Sequence, residues 1–222
     1  MKITWYGHSS FLIEDSKGRK LLTDPFDSSI GYTLYDEDAD VVTISHHHFD
    51  HDYIENIKGN PTICDKVGNF NYADIPINGF PTFHDNVKGA KRGQNTIYTW
   101  EMDGFRLCHL GDLGHPLVDD DLDKIGKIDV LFIPVGGNYT LDGSDASDVA
   151  KAIGSHIIIP MHYKTPQLSI PLAGVESFIT KMKNGDNINS SSLLITEKLE
   201  EYNKVMLLKV FESSNAKIPL SV

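Results

Sequence analysis

Ser45-His46-His47-His48-Phe49-Asp50-His51 places four of the ten histidines of the chain within six residues. The segment is internal, is interrupted by Phe49 and Asp50, and follows an apolar run at residues 41–45 that reads as a strand, so it is no expression tag. At an extended strand end, alternate side chains share a face: His46 and His48 converge on one point while His47 points away. A turn after His48 then presents Asp50 and His51 to a second point a few Å off, within the spacing of paired metal sites. One short segment offers ligands to two metals.

Further metal ligands are expected at other strand ends. Short runs rich in Ile, Val and Leu stop at polar clusters: 20–23 at Asp24-Pro25, 105–110 at Gly111-Asp112, 130–135 at Gly136-Gly137 and 156–161 at His162-Tyr163. His84, in Pro81-Thr82-Phe83-His84-Asp85, joins Asp112 and His162 as the remaining candidates. Residues 2–6 and 10–14 read as strands joined through Gly7-His8. Residues 96–100 and 105–110 form a hairpin around Asp103-Gly104, and the tail returns to strands at 192–195 and 205–211. Helices are predicted at 53–58, at 145–153 behind a Ser144 cap, and at 172–182. Strands throughout with helices interspersed predict an α/β chain of two packed sheets with helices outside, one domain over 1–222.

Composition narrows the partners. Lys and Arg number 20 against 31 Asp and Glu, a net charge of −11, which argues against a nucleic-acid footprint. Cys64 and Cys108 form no paired framework, which predicts a reduced, cytoplasmic protein and excludes a cysteine zinc site. Apolar stretches such as 130–135 are too short to cross a bilayer, so no membrane partner is expected. A serine nucleophile at Gly7-His8-Ser9-Ser10 would lack the second glycine of the nucleophile elbow.

The pattern His46-x-His48-x-Asp50-His51, followed by His84, Asp112 and His162, resembles the metal-binding signature of the metallo-β-lactamase superfamily. Gly7-His8-Ser9, Asp24-Pro25, Gly111-Asp112 and Ile159-Pro160-Met161-His162-Tyr163 resemble the branch of L-ascorbate 6-phosphate lactonase-like and N-acyl phosphatidylethanolamine phospholipase D-like hydrolases. The resemblance covers residues 2–165 and implies an αββα sandwich with a dinuclear site at one edge. It implies one metal on His46, His48 and His84, a second on Asp50, His51 and His162, and Asp112 as the bridge. Zinc suits imidazole and carboxylate best, and manganese or iron accept the same donors. Oxygen-reducing di-iron relatives carry Glu where this chain has His48, so the resemblance implies hydrolysis rather than redox chemistry.

Two divalent ions set against Asp50, Asp112 and a bridging hydroxide leave about +1, which favours a small anionic substrate: a phosphodiester, a lactone or a related ester. Such a site lowers the pKa of bound water from about 15.7 to about 7, so hydroxide is available at neutral pH. Asp50 and Asp112 are the expected catalytic carboxylates, with His115 as general acid after the ligand loop. Asp24 is expected to orient a ligand histidine. His8 lies near the pocket without being a ligand. Lys88, Lys91 and Arg92 either hold a phosphate or carboxylate or stay solvated, and Tyr139 and Tyr163 are candidates to shape the pocket. A nuclease-like phosphodiesterase would need a continuous basic groove, and a non-catalytic sensor would be favoured by a missing ligand; none is missing.

Overall fold

In the computed structural model, which describes residues 1–198 and 200–213, the β-branched and aromatic runs pair into two sheets. The first contains β1 (Lys2–Gly7), β2 (Ser10–Glu14), β3 (Lys20–Thr23), β4 (Val41–Thr43) and β5 (Thr62–Cys64) in sequence order, with β13 (Ser192–Leu194) outside β1. The second runs in the order β12 (Gly185–Asn187), β14 (Lys204–Leu207), β11 (Ile157–Met161), β10 (Val130–Pro134), β9 (Phe105–His109), β8 (Gln94–Met102), β7 (Ile75–Phe83) and β6 (Gly68–Tyr72). Strands β3, β4 and β5 are parallel, as are β9, β10, β11 and β14. Strands β10 and β11 are buried along their whole length, as befits central parallel strands covered on both faces.

Period-two alternation assigns the side chains of the first sheet to two layers. Ile13, Leu21 and Val41 enter the main core between the sheets, where Phe11 of β2 meets Phe132 of β10 at 4.5 Å between ring centroids. Leu12, Leu22 and Val42 face the other way and are covered by Phe26, Ile30, Tyr32, Tyr35, Leu168 and Leu172. That outer layer is loop with one 3-10 turn, Ser28–Ile30, while helix α2 (Gly143–Ile153) packs against β10 and against α3 (Glu176–Met182). No helix among the described residues is long and apolar enough to cross a membrane.

Several predicted elements change. Residues 53–58 form a turn, because the Tyr53 and Lys58 amides bond to Pro25 and Glu37 carbonyls instead of closing a helix. The predicted helix 172–182 begins only at Glu176; Ala173 stays extended, its N–H on the Gly136 carbonyl. Asp142, not Ser144, caps α2, accepting from the Ser144 and Asp145 amides. Helix α1 (Asp119–Ile125) and strands β5, β6, β7 and β12 were not anticipated. In β7, Pro76, Gly79 and Pro81 disguise a strand whose Ile75 and Ile77 are buried.

Within the first sheet β1, β3 and β4 run the same way, and within the second β7, β9, β10 and β11 do. The turns that follow these strands meet at one edge.

Candidate metal centre

Turns at this edge use left-handed backbone at residues other than glycine, among them His8 after β1 (φ 51°), Asp24 after β3 (φ 38°) and His162 after β11 (φ 52°). Each costs on the order of 1–3 kcal/mol, a cost found where surrounding structure fixes a functional side chain. Gly111, after β9, is required for space as well: a Cβ there would stand 2.3 Å from Asn95 Oδ1. That oxygen accepts the Asp112 amide at 2.8 Å, while Asn95 Nδ2 donates to the Leu110 carbonyl, so Asn95 clamps the turn that delivers Asp112.

The side chains gather in three overlapping sets, each with donor atoms within 4.8 Å of one another: His46, His48 and His84; His8, Asp50, His51 and His162; and His46, His51 and Asp112. Strand β4 ends at Thr43, so His46 and His48 converge through a turn rather than by strand alternation; the amides of His48 and His51 bond to the His46 and His48 carbonyls. His47 points outward to Asp52, as alternation also required.

The ring nitrogens on the far side are anchored to oxygen. His51 Nδ1 donates to Asp24 Oδ2 at 3.0 Å and His84 Nδ1 to the Tyr139 carbonyl at 3.1 Å. Asp24 also accepts the Ser45 amide and hydroxyl, and that hydroxyl lies 2.9 Å from His46 Nδ1, so one buried carboxylate orients two rings. The Nε2 atoms of His46, His51 and His84 are left facing inward.

Asp112 Oδ2 lies 3.1 Å from Nε2 of both His84 and His162, and 3.3 Å from Nε2 of His51. Its other oxygen, His51 Nε2 and His162 Nδ1 are buried with no hydrogen-bond partner among the described residues. Orphaned buried polar atoms cost about 1–3 kcal/mol each, so the donor set fits a cation at its centre.

The electrostatics agree with that fit. Burial drives the pKa of His46 down to about 2 and that of His8 down to about 4, and lowers that of His48, leaving neutral imidazoles with available lone pairs. Burial opposes charge on His51, yet Asp112, Asp24 and Asp50 outweigh it and raise its pKa well above the ordinary value. Burial likewise favours protonation of Asp112, and His162 and His51 overcome it to hold the carboxyl well below the carboxylate range. The carboxylates demand positive charge where the imidazoles converge.

The remaining expectations divide. Neutral His8 places its Nε2 3.0 Å from Asp50 Oδ2 and orients that carboxylate. Tyr139 joins the centre through its carbonyl, whereas Tyr163 packs on Trp5 at 5.3 Å and borders a different cavity. Arg92 borders the candidate site; Lys88 and Lys91 are exposed and do not. The general-acid role expected of His115 is not supported. Its Nε2 accepts the Phe83 amide and its Nδ1 donates to the Pro116 carbonyl, leaving neither ring nitrogen free, and it lies outside the cavity lining. Ser45 and Asn95, missed from sequence, carry no signal beyond their places beside His46 and at the start of β8.

We expect Asp24→Ala to weaken metal binding about 10–100-fold, the usual effect of losing an orienting carboxylate, without unfolding the sheets. Competition titration with a metal indicator checks it. Unchanged affinity would mean that His46 and His51 are fixed without Asp24.

Histidine and aspartate side chains gathered at a common edge of two facing sheets define a metallo-hydrolase architecture. Residues 2–162 match the β-lactamase superfamily domain, and the chain belongs to that superfamily. A metal-dependent hydrolase of Methanosphaera stadtmanae is 32% identical over 200 residues, covering 74% of this chain and 85% of that one. One from Geobacillus thermodenitrificans is 29% identical over 201 residues, covering 74% and 86%. The crystal structure of a Thermotoga maritima protein assigned as a Zn-dependent hydrolase of the metallo-β-lactamase superfamily superposes with a TM-score of 0.79 at 38% identity, covering 93% of this chain and 97% of that one. The chain is a metal-dependent hydrolase, and these matches define the superfamily rather than one branch of it.

Proposed function

We propose that the chain hydrolyses a small anionic ester, such as a phosphodiester or lactone, at a dinuclear centre for which zinc is the best-suited metal. The observation that carries this reading is the position of Asp112: one carboxylate oxygen within 3.3 Å of Nε2 of His51, His84 and His162, between two sets of donors. His46, His48 and His84 would hold one ion, Asp50, His51 and His162 the other, and Asp112 would touch both and set their separation.

Divalent ions bound there supply a water that deprotonates near neutral pH and a Lewis acid for the substrate oxygen. The residues of the chain do the positioning. Asp24 and Ser45 fix the rings of His51 and His46, the Tyr139 carbonyl fixes His84, and His8 holds Asp50. The cavity over the site, about 680 Å³, suits a small molecule. Arg92 is its only Lys or Arg among the described residues, which disfavours a nuclease with a continuous basic groove. A cytoplasmic location without membrane or nucleic-acid partners belongs to this reading.

Elemental analysis after reconstitution should give two metals per chain, and the loaded protein should turn over at least one class in a panel of chromogenic phosphodiesters, phosphomonoesters, lactones and thioesters. A single tight metal would overturn the dinuclear reading. Two metals with no turnover of any class would overturn the hydrolytic one.

A further inference from the structure

Arg92 stands apart from the other arginines. Arg19 pairs with Asp15 and Arg106 with Glu101, whereas the Arg92 guanidinium has no carboxylate partner and no side-chain hydrogen bond among the described residues, in a chain of net charge −11. Its central carbon lies 4.2 Å from the centroid of the Tyr139 ring. Stacking occupies the face of a guanidinium and leaves its N–H edge available for a bidentate oxyanion.

The placement is built from both sides. Asp85 accepts the backbone amides of Val87, Gly89, Lys91 and Arg92, each at 2.8 Å, which locks the 85–92 loop immediately after His84. On the opposite side, Tyr139, on whose ring the guanidinium stacks, also orients a metal-facing ring, since its carbonyl accepts His84 Nδ1. Asn138 next to it donates to the Pro171 carbonyl at 2.6 Å, tying the same loop to the segment that contains Ile170. Phe49, 56% exposed despite its size, borders the same cavity with Ile170 and Pro171.

We propose that Arg92 binds a fixed oxyanion on the substrate, carboxylate or phosphate, while Phe49, Ile170 and Pro171 take an apolar group, so that the substrate is an amphiphilic anionic ester. This rests on the hydrolase reading above and adds the recognition chemistry. Arg92 is a substrate-binding residue here; the Tyr139 ring positions it.

The test uses the full-length, metal-reconstituted chain, Arg92→Gln and Arg92→Lys. Two readouts are taken: KM for 4-nitrophenyl esters bearing a remote carboxylate or a remote phosphate against the neutral isostere, and calorimetric Kd for benzylphosphonate against methylphosphonate. Losing a charge-assisted pair should raise the charged-to-neutral KM ratio about 10–100-fold in Arg92→Gln, with Arg92→Lys in between. The arm with the larger change identifies the oxyanion. Benzylphosphonate should bind about tenfold more tightly than methylphosphonate, and Phe49→Ala should shrink that difference. Equal KM ratios in wild type and Arg92→Gln overturn the proposal. If wild type hydrolyses no ester, the hydrolase reading fails on its own, and the proposal is then decided by Kd: a benzylphosphonate affinity unaltered by Arg92→Gln, or absent in wild type, overturns it.

Discussion

Asp112→Ala should reduce turnover to background and weaken metal binding at both positions by at least about 100-fold, beyond the effect of losing an orienting group. The expectation follows from one oxygen of a buried carboxylate. Oδ2 lies 3.1 Å from Nε2 of both His84 and His162, histidines that the proposed assignment gives to different ions, so no neighbouring carboxylate can replace it. Asp50 is engaged by His8 and Asp24 by Ser45 and His51. Asp112→Asn, which keeps the shape but removes the charge, should fold normally and still lose most of the affinity. Metal content and initial rate measured on the same samples decide it; two retained metals with near-normal turnover in Asp112→Ala would refute the bridging role.

Phe132→Ala should cost about 3–5 kcal/mol of stability, the usual range for a fully buried phenylalanine. Phe132 is fully buried at the centre of β10, 4.5 Å from the Phe11 ring of the facing sheet and stacked at 6.1 Å on Trp100 of its own sheet. At about 2–4 °C per kcal/mol for a chain of this size, Tm should fall by roughly 6–20 °C. The site should register the change as well. His109 lies 5.9 Å from Phe132, donates to the Ser9 carbonyl and accepts the Gly111 amide, so a cavity at Phe132 reaches the turn that delivers Asp112. Phe132→Leu should cost under about 1.5 kcal/mol. Thermal melts with parallel metal titrations test both effects, and a loss below 1 kcal/mol in Phe132→Ala would show that this stack does not join the sheets.

The histidine cluster and the polar ends of β9 and β11 were legible because a strand exposes its chemistry where its apolar run stops. The positions of Asp112 and His162 could be read that way, while His84, after the unrecognised β7, was picked out only as a histidine beside an aspartate, and the local geometry could not be read at all. His115 stands three residues after Asp112, yet its ring is turned onto backbone, because the direction of a side chain in a turn depends on contacts from Phe83, a residue distant in sequence. The same limit hid Asn95, whose role exists only once β8 lies beside the 110–112 turn. Strand β7 escaped because its prolines and glycine resemble a loop locally, while its pairing partners are set by the sheet. Lys88, Lys91 and Arg92 looked equivalent, and only the fold separated one stacked guanidinium from two solvated ammonium groups.

The two sets of donors are drawn unequally from the chain. On the proposed assignment, the first ion needs no donor beyond Asp112 in the sequence, whereas the second needs His162, which follows β11, the parallel neighbour of β10. During synthesis from the N-terminus, the first position can therefore be completed while the second still lacks a donor. Its occupancy would then report that β11 has docked beside β10, making the second ion a marker of that step as well as a participant in the chemistry.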